Sequence, residues 1–192
     1  MALIKLNNQS LTAVSALPAG LGGKVLQVQT NPITAFGKTD LTTSYADISG
    51  TEQSFTRTVS NSKILVSWNL KLTSEQNTYI KMNRKIGTGS YAVVNAGATG
   101  TDGGRTSAGG VLGSFYNTTA FNAMGYGIHA YQFTFLDESG QGLTDTTDAI
   151  TYKITAAGAN SSSDFFLNIS GYDSGNYNYT TESSVTFMEI AG

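Results

Sequence analysis

The run Ile86-Gly87-Thr88-Gly89-Ser90-Tyr91-Ala92-Val93-Val94 has the glycine spacing that lets a backbone close over nucleotide phosphates. Phosphoryl transfer would also need a V-A-I-K lysine, an H-R-D loop and a D-F-G turn, and the chain has none of them. A Gly/Ser turn is the expectation here. His129 is the single histidine. A Ser-His-Asp relay needs a base, an orienting acid and a strained nucleophile turn, and no G-x-S-x-G is present. His129 is expected to pack or to lie at an interface. One histidine and no cysteine also exclude three-histidine and thiolate metal sites. Asp145, Asp148, Asp164 and Asp173 carry the hard oxygens that calcium prefers, without the D-x-D-x-D-G spacing of a calcium loop. They are expected to be caps and turns. Glycoside cleavage would need two acids flanking a sugar. Glu75, Asp137, Glu138, Glu182 and Glu189 are scattered, with no pairing in their spacing. The expectation is a protein with no catalytic residue, no metal ligand and no cofactor.

Two segments suit recognition better than catalysis. Gly171 to Tyr179 places Tyr172, Tyr177 and Tyr179 among Asn, Ser and Gly, the mixture that adaptable contact surfaces use. A tyrosine-rich strand pair with a turn is the alternative reading. Asn95 to Phe115 is Gly-rich and contains Arg105. A long connection of this kind is usually functional. Tyr172, Tyr177, Tyr179 and Arg105 are therefore candidate surface-recognition residues, for a host glycan or a protein.

The elements that would hold such loops are strands. Ile64, Val66, Trp68, Leu70 and Leu72 alternate with Leu65, Ser67, Asn69 and Lys71, the period-2 pattern of a half-buried strand. Thr78 to Lys85 alternates too, with Ile80 and Met82 set against Lys81 and Asn83. Tyr131, Phe133 and Phe135 share one face, as do Ile150, Tyr152 and Ile154, and Phe165, Leu167 and Ile169. Val185 and Phe187 close the series, with Met188 and Ile190 on the opposite face. Lys24 to Thr30 and Gln53 to Thr58 are weaker strands. No stretch has a 3.6-residue apolar period. Short strands with long connections predict an all-β, jelly-roll-like antiparallel sandwich over residues 24–192, with an excursion at about 95–115. Residues 1–23 end in a breaker cluster, Pro18 to Gly23. They are expected to form an extended arm whose Leu3, Ile4, Leu6, Leu11, Val14 and Leu17 dock on something else.

Composition agrees. Of 192 residues, 22 are Gly, and charged residues are 12%, against about 25% in an ordinary soluble domain. Such a surface is either neutral or covered by partners. The net charge is −2 and no basic run occurs, so neither nucleic acid nor an anionic membrane is an expected partner. No apolar run reaches the ~18 residues of a membrane span. Polar residues from Asn7 to Ser10 interrupt any leader-like stretch, and folding in a bacterial cytoplasm is expected.

Five segments, MALIKLNNQSL, GGKVLQVQT, TSYADISG, VSNSKILVSWNLKL and SSVTFMEIAG, resemble in their order a family of small virion structural proteins. These occur in tailed phages of marine and freshwater bacteria, cyanophages included. The likeness covers both ends and roughly the first 90 residues; about 87–130 carries no matching segment. It implies a jelly roll like the complement C1q and tumour-necrosis-factor domains, which trimerise through packed aromatics. Trp68, Tyr79, Tyr131, Phe133, Phe135 and Phe187 are the candidate trimer or core aromatics. The implied role is a non-enzymatic homotrimer on the virion surface. The leading form is a cement (decoration) protein bound to the major capsid protein. A tail-fibre knob that reads host glycans is the first rival, and a free carbohydrate-binding module the second.

Overall fold

The computed structural model describes residues 24–74, 78–94, 101–102, 105–106, 111–115, 128–158, 163–169 and 180–192. Their strands are β1 (Val25–Ile33), β2 (Gly37–Leu41), β3 (Ala46–Asp47), β4 (Gln53–Thr56), β5 (Lys63–Ser74), β6 (Thr78–Ile86), β7 (Ala92–Val93), β8 (Thr101–Asp102), β9 (Arg105–Thr106), β10 (Val111–Phe115), β11 (His129–Asp137), β12 (Ala149–Gly158), β13 (Ser163–Leu167) and β14 (Ser183–Ile190). All pairings are antiparallel.

Alternation decides which sheet each strand joins. β5 is buried at Ile64, Val66, Trp68, Leu70 and Leu72. It is flanked by β14 on one edge, paired over Lys63–Asn69, and by β11 on the other, paired over Ile64–Leu72. β1 pairs with β14, and β13 links β5 to β2. The first sheet runs β1-β14-β5-β13-β2, with β11 on the other edge of β5, so that β1, β14, β5 and β11 lie side by side. The second runs β10-β6-β12-β3, with β4 also paired to β12 and β7 to β6. The chain enters through β1, changes sheet between β2 and β3, on either side of β5, and at each connection from β10 to β13, and closes on β14 between β1 and β5. That is the connectivity of a jelly roll. The inner faces meet over Trp68, Phe55, Phe165, Phe187, Tyr152, Met82 and the aliphatic residues around them.

Two side-chain devices finish the sandwich. Along one side, Gln27 Nε2 donates to the Thr56 carbonyl (2.7 Å) and Gln29 Nε2 to the Ser54 carbonyl (3.4 Å). Amide side chains of β1 thus satisfy backbone acceptors of β4 across the gap between sheets. Beyond β13, Asn168 is fully buried at φ 58°, a left-handed conformation that Asn tolerates better than most residues. Its Nδ2 donates to the Ile33 and Ala35 carbonyls (2.6 and 2.8 Å), and its Oδ1 accepts from Ser183 Oγ (2.6 Å). One side chain therefore ties the end of β1 to β13 and β14. Asn168→Ala should lower stability by about 2–4 kcal/mol, because it orphans buried carbonyls as well as losing the bonds. Chemical denaturation would measure it, and a change near zero would refute the role.

Three expectations need correction. Val111–Phe115, the end of the Gly-rich stretch, pairs with Thr78–Lys81 of β6 as a strand of the second sheet; only the part before it can be an excursion. In β6 the polar parity fails: Asn83 and Arg84 are both buried. Asn83 donates to Thr155 Oγ1 (2.8 Å) and Arg84 pairs with Asp137, so each is satisfied internally. β13 stops at Leu167, and Ile169 makes only an isolated bridge with Thr180. The arm, residues 1–23, lies outside the described residues.

Candidate interaction face

The outer face of the first sheet follows from the register. Val28, Met188, Leu65 and Leu136 form one row across four strands. Thr30, Thr186, Ser67 and Thr134 form the next, and Pro32, Ser184, Asn69 and Gln132 the third. None of these residues is charged. Val28 is 55% exposed and Leu136 36%, with Leu65 and Met188 half-buried between them. The hydroxyl row bonds sideways, Thr30 to Thr186 at 2.9 Å and Ser67 to Thr134 at 3.1 Å. Charge appears only at the margins. Lys63, paired with Glu138 at 2.8 Å, stands opposite Ile190 at one end, and Lys71 stands at the other. Four strands at ~4.8 Å spacing make a neutral plate about 14 Å across.

The second sheet presents the opposite chemistry. Lys81 and Lys85 of β6 and Lys153 of β12 share its outer face. Lys81 Nζ lies 4.2 Å from the Tyr45 ring centroid, and Tyr91 takes Lys85 at 4.8 Å and Lys153 at 4.0 Å. Glu52 pairs with Lys85 (3.2 Å) and Asp47 with Lys153 (2.6 Å). This face carries its own counterions and aromatic cover. On the first sheet the charged pairs, Lys38 with Asp40 and Asp164 and Lys63 with Glu138, lie outside the three rows of the plate.

Beneath the plate, two buried carboxylates bind strands together. Glu189 of β14 is fully buried. It accepts from Thr58 N (2.9 Å), Val59 N (3.0 Å), Thr58 Oγ1 (2.9 Å), Ser62 Oγ (2.6 Å) and Gln27 Nε2 (2.7 Å). Burial alone would raise its pKa; the donors from Ser62, Thr58 and Val59 outweigh burial and hold it at about 2. Asp137, the last residue of β11, accepts from Arg84 Nη1 of the other sheet through Oδ1, and from Tyr152 Oη through Oδ2 at 2.7 Å. Burial raises the Asp137 pKa against the pull of Arg84, and pushes the Tyr152 phenol well above its ordinary value. Glu189 is saturated with donors and Asp137 is held by Arg84 and Tyr152, and both brace the fold. A pocket of about 290 Å³ opens nearby beside Arg57, Ser62, Lys63, Leu143 and Asp145. Its cations are engaged, Arg57 by the Ser62 and Thr144 carbonyls and Lys63 by Glu138.

The predicted aromatics do not converge on one surface. Trp68 and Phe187 lie in the core. Trp68 Nε1 reaches Met82 Sδ at 3.3 Å, and Phe187 packs against Phe55 and Tyr152. Tyr131, Phe133 and Phe135 line the inner side of β11, half-buried against the core. Tyr79 stands opposite Ala157 on the outer face of the second sheet. Tyr172, Tyr177 and Tyr179 lie outside the described residues, as do the arm residues Leu3, Ile4, Leu6, Leu11, Val14 and Leu17; Arg105 is described only as part of strand β9. The glycine run is a turn leaving β6, with Gly87 at φ 54° and its N–H on the Ala149 carbonyl (2.8 Å). His129 is exposed at the start of β11. No group of metal-ligating side chains occurs among the described residues, where Asp164 pairs with Lys38 at 2.8 Å. No helix among them is long and apolar enough to cross a membrane.

Neither a protein-family model nor a curated protein matches the chain. Solved structures do. The infectious bursal disease virus Gx strain structure aligns at 12% identity and TM-score 0.36, covering 87% of this chain and 43% of that one. The VP2 subviral particle of infectious bursal disease virus aligns at 10% identity and TM-score 0.39, over 85% and 41%. The chain spans less than half the length of these proteins. A likeness at this level bears on neither assembly nor function.

Proposed function

We propose that this chain is a non-enzymatic structural protein of a bacteriophage particle, a homotrimeric cement protein that clamps the major capsid protein on the virion surface. The observation that carries the reading is the neutral plate of the first sheet. An uncharged face with an apolar row loses little on desolvation and gains by burial, whereas the other face keeps its charges in solvent. The ordered resemblance of both chain ends to small phage virion proteins supplies the particle, and the jelly-roll connectivity agrees with it. In the trimer, copies meet along the half-buried row Tyr131, Phe133 and Phe135, which leaves the plate for the capsid. The arm adds a second point of attachment, and three linked copies hold by avidity even where each contact is weak.

Leu65→Lys tests the reading. A lysine at this half-exposed position should change stability by no more than about 0.5–1 kcal/mol. In the contact it would bury an unpaired charge, so affinity for particles stripped of the protein should fall about thirtyfold or more. Co-sedimentation would measure it. Undiminished binding by a folded Leu65→Lys protein would refute the plate as the contact.

A further inference from the structure

The pocket beside Arg57 lies between the turn that joins β4 to β5 and the connection from β11 to β12. Its walls are fixed by the fold. Leu143 is buried in the core, and Gly142, at φ 79°, ends the single 3-10 turn Ser139–Gln141 in a left-handed conformation that suits glycine. Arg57, 3% exposed, fastens one wall to the other: it donates to the Ser62 carbonyl (2.7 Å) and to the Thr144 carbonyl. Its Nε is buried without a hydrogen-bond partner, an orphan that calls for an acceptor. Asn61, Ser139 and Asp145 stand exposed around the opening. Among the described residues, none of these three side chains engages in a hydrogen bond or ion pair.

We propose that this pocket binds a neutral pyranose ring, the unit of a saccharide. The charges of its side chains balance: Lys63 is paired with Glu138 at 2.8 Å, and Arg57 is set against Asp145. A bare anion would therefore meet Asp145, and a bare cation would meet Arg57. The free groups suit hydroxyls instead. Asn61 and Ser139 both donate and accept, and Asp145 accepts. A sugar hydroxyl also does both, so neighbouring hydroxyls on one ring satisfy all three. Leu143 offers the C–H face of the ring an apolar contact. The volume of about 290 Å³ sits at the small end of the ~300–1,000 Å³ usual for ligand sites, which suits one ring rather than a chain. With so few contacts the Kd is on the order of millimolar. The site goes beyond the capsid contact and does not rest on it.

Saturation-transfer NMR on the full chain tests this. The probes are the methyl glycosides of glucose, galactose, mannose and N-acetylglucosamine, titrated to about 50 mM, well above the expected Kd. Sodium acetate and tetramethylammonium chloride serve as ion controls. At least one glycoside should saturate, and amide shifts should move at Asn61, Ser139 and Asp145. Asp145→Ala and Asn61→Ala should each weaken binding about tenfold with Tm unchanged, since both side chains are exposed. Leu65→Lys should bind the glycoside as the wild type does, whatever it does to particle binding. No saturation by any glycoside would overturn the proposal. So would shifts centred elsewhere, unchanged affinity in both alanine variants, or saturation by acetate or tetramethylammonium instead.

Discussion

Glu189→Leu should destabilise the protein by about 3–5 kcal/mol, lowering Tm by roughly 6–20 °C. The carboxylate is the common acceptor for two backbone N–H groups, two hydroxyls and one amide, drawn from β1 and from the turn between β4 and β5. Leucine fills much of the volume but leaves those donors facing an apolar group, and buried donors without acceptors cost more than the bonds they made. The acid side of the stability curve carries the same signature. The folded pKa of about 2 lies below the ordinary 4.5, so the unfolded chain takes up the proton first as pH falls. The contribution of Glu189 is complete above pH ~4.5 and is lost as pH falls towards 2. Asp137 has the opposite sign: its folded pKa is raised, so protonation does not withdraw stability in the same way. Thermal scans from pH 7 to pH 2.5 should show the wild-type advantage over Glu189→Leu shrinking below pH 4.5. An advantage independent of pH would refute the assignment.

Asp137→Ala should cost about 3–5 kcal/mol as well, for a different reason. Its carboxylate is the acid that faces Arg84, whose side chain is 9% exposed. Removing it strands a guanidinium between two sheets, with the Gln141 carbonyl (3.2 Å) as its remaining hydrogen-bond acceptor among the described residues. The Tyr152 hydroxyl loses its acceptor at the same time. Because the penalty comes from the uncompensated charge, Asp137→Leu combined with Arg84→Met should recover most of it; paired apolar replacements of buried ion pairs are often neutral. Denaturant titration of the single and double variants checks this. A mild single variant, or a double variant no better than Asp137→Ala, would contradict the account.

These two residues also show where the sequence is legible and where it is not. Ile64 to Leu72 reads as a strand because its apolar residues fall on one parity and its neighbours on the other. The same alternation locates β11, β12 and β14, and with them most of the sandwich. Glu189 and Asp137 break the code. Glu189 shares the parity of Val185 and Phe187, and Asp137 that of Tyr131, Phe133 and Phe135, so parity alone places both carboxylates inside. Charge argues for the surface instead, and only the fold brings the compensating donors from Thr58, Ser62 and Arg84. The plate was half visible. Leu65, Met188 and Ile190 are apolar residues on the outward parity. That they line up with Val28 and Leu136 depends on register, which no single strand contains. β10 was hidden for another reason: Val111-Leu112-Gly113-Ser114-Phe115 has too weak a pattern to stand out from the glycines before it, and pairing with β6 makes it a strand.

A particle census tests the central claim most directly. Quantitative mass spectrometry of purified virions would count this chain against the major capsid protein. The account predicts hundreds of copies per particle, in a simple ratio to the capsid protein. Absence from the particle would contradict it.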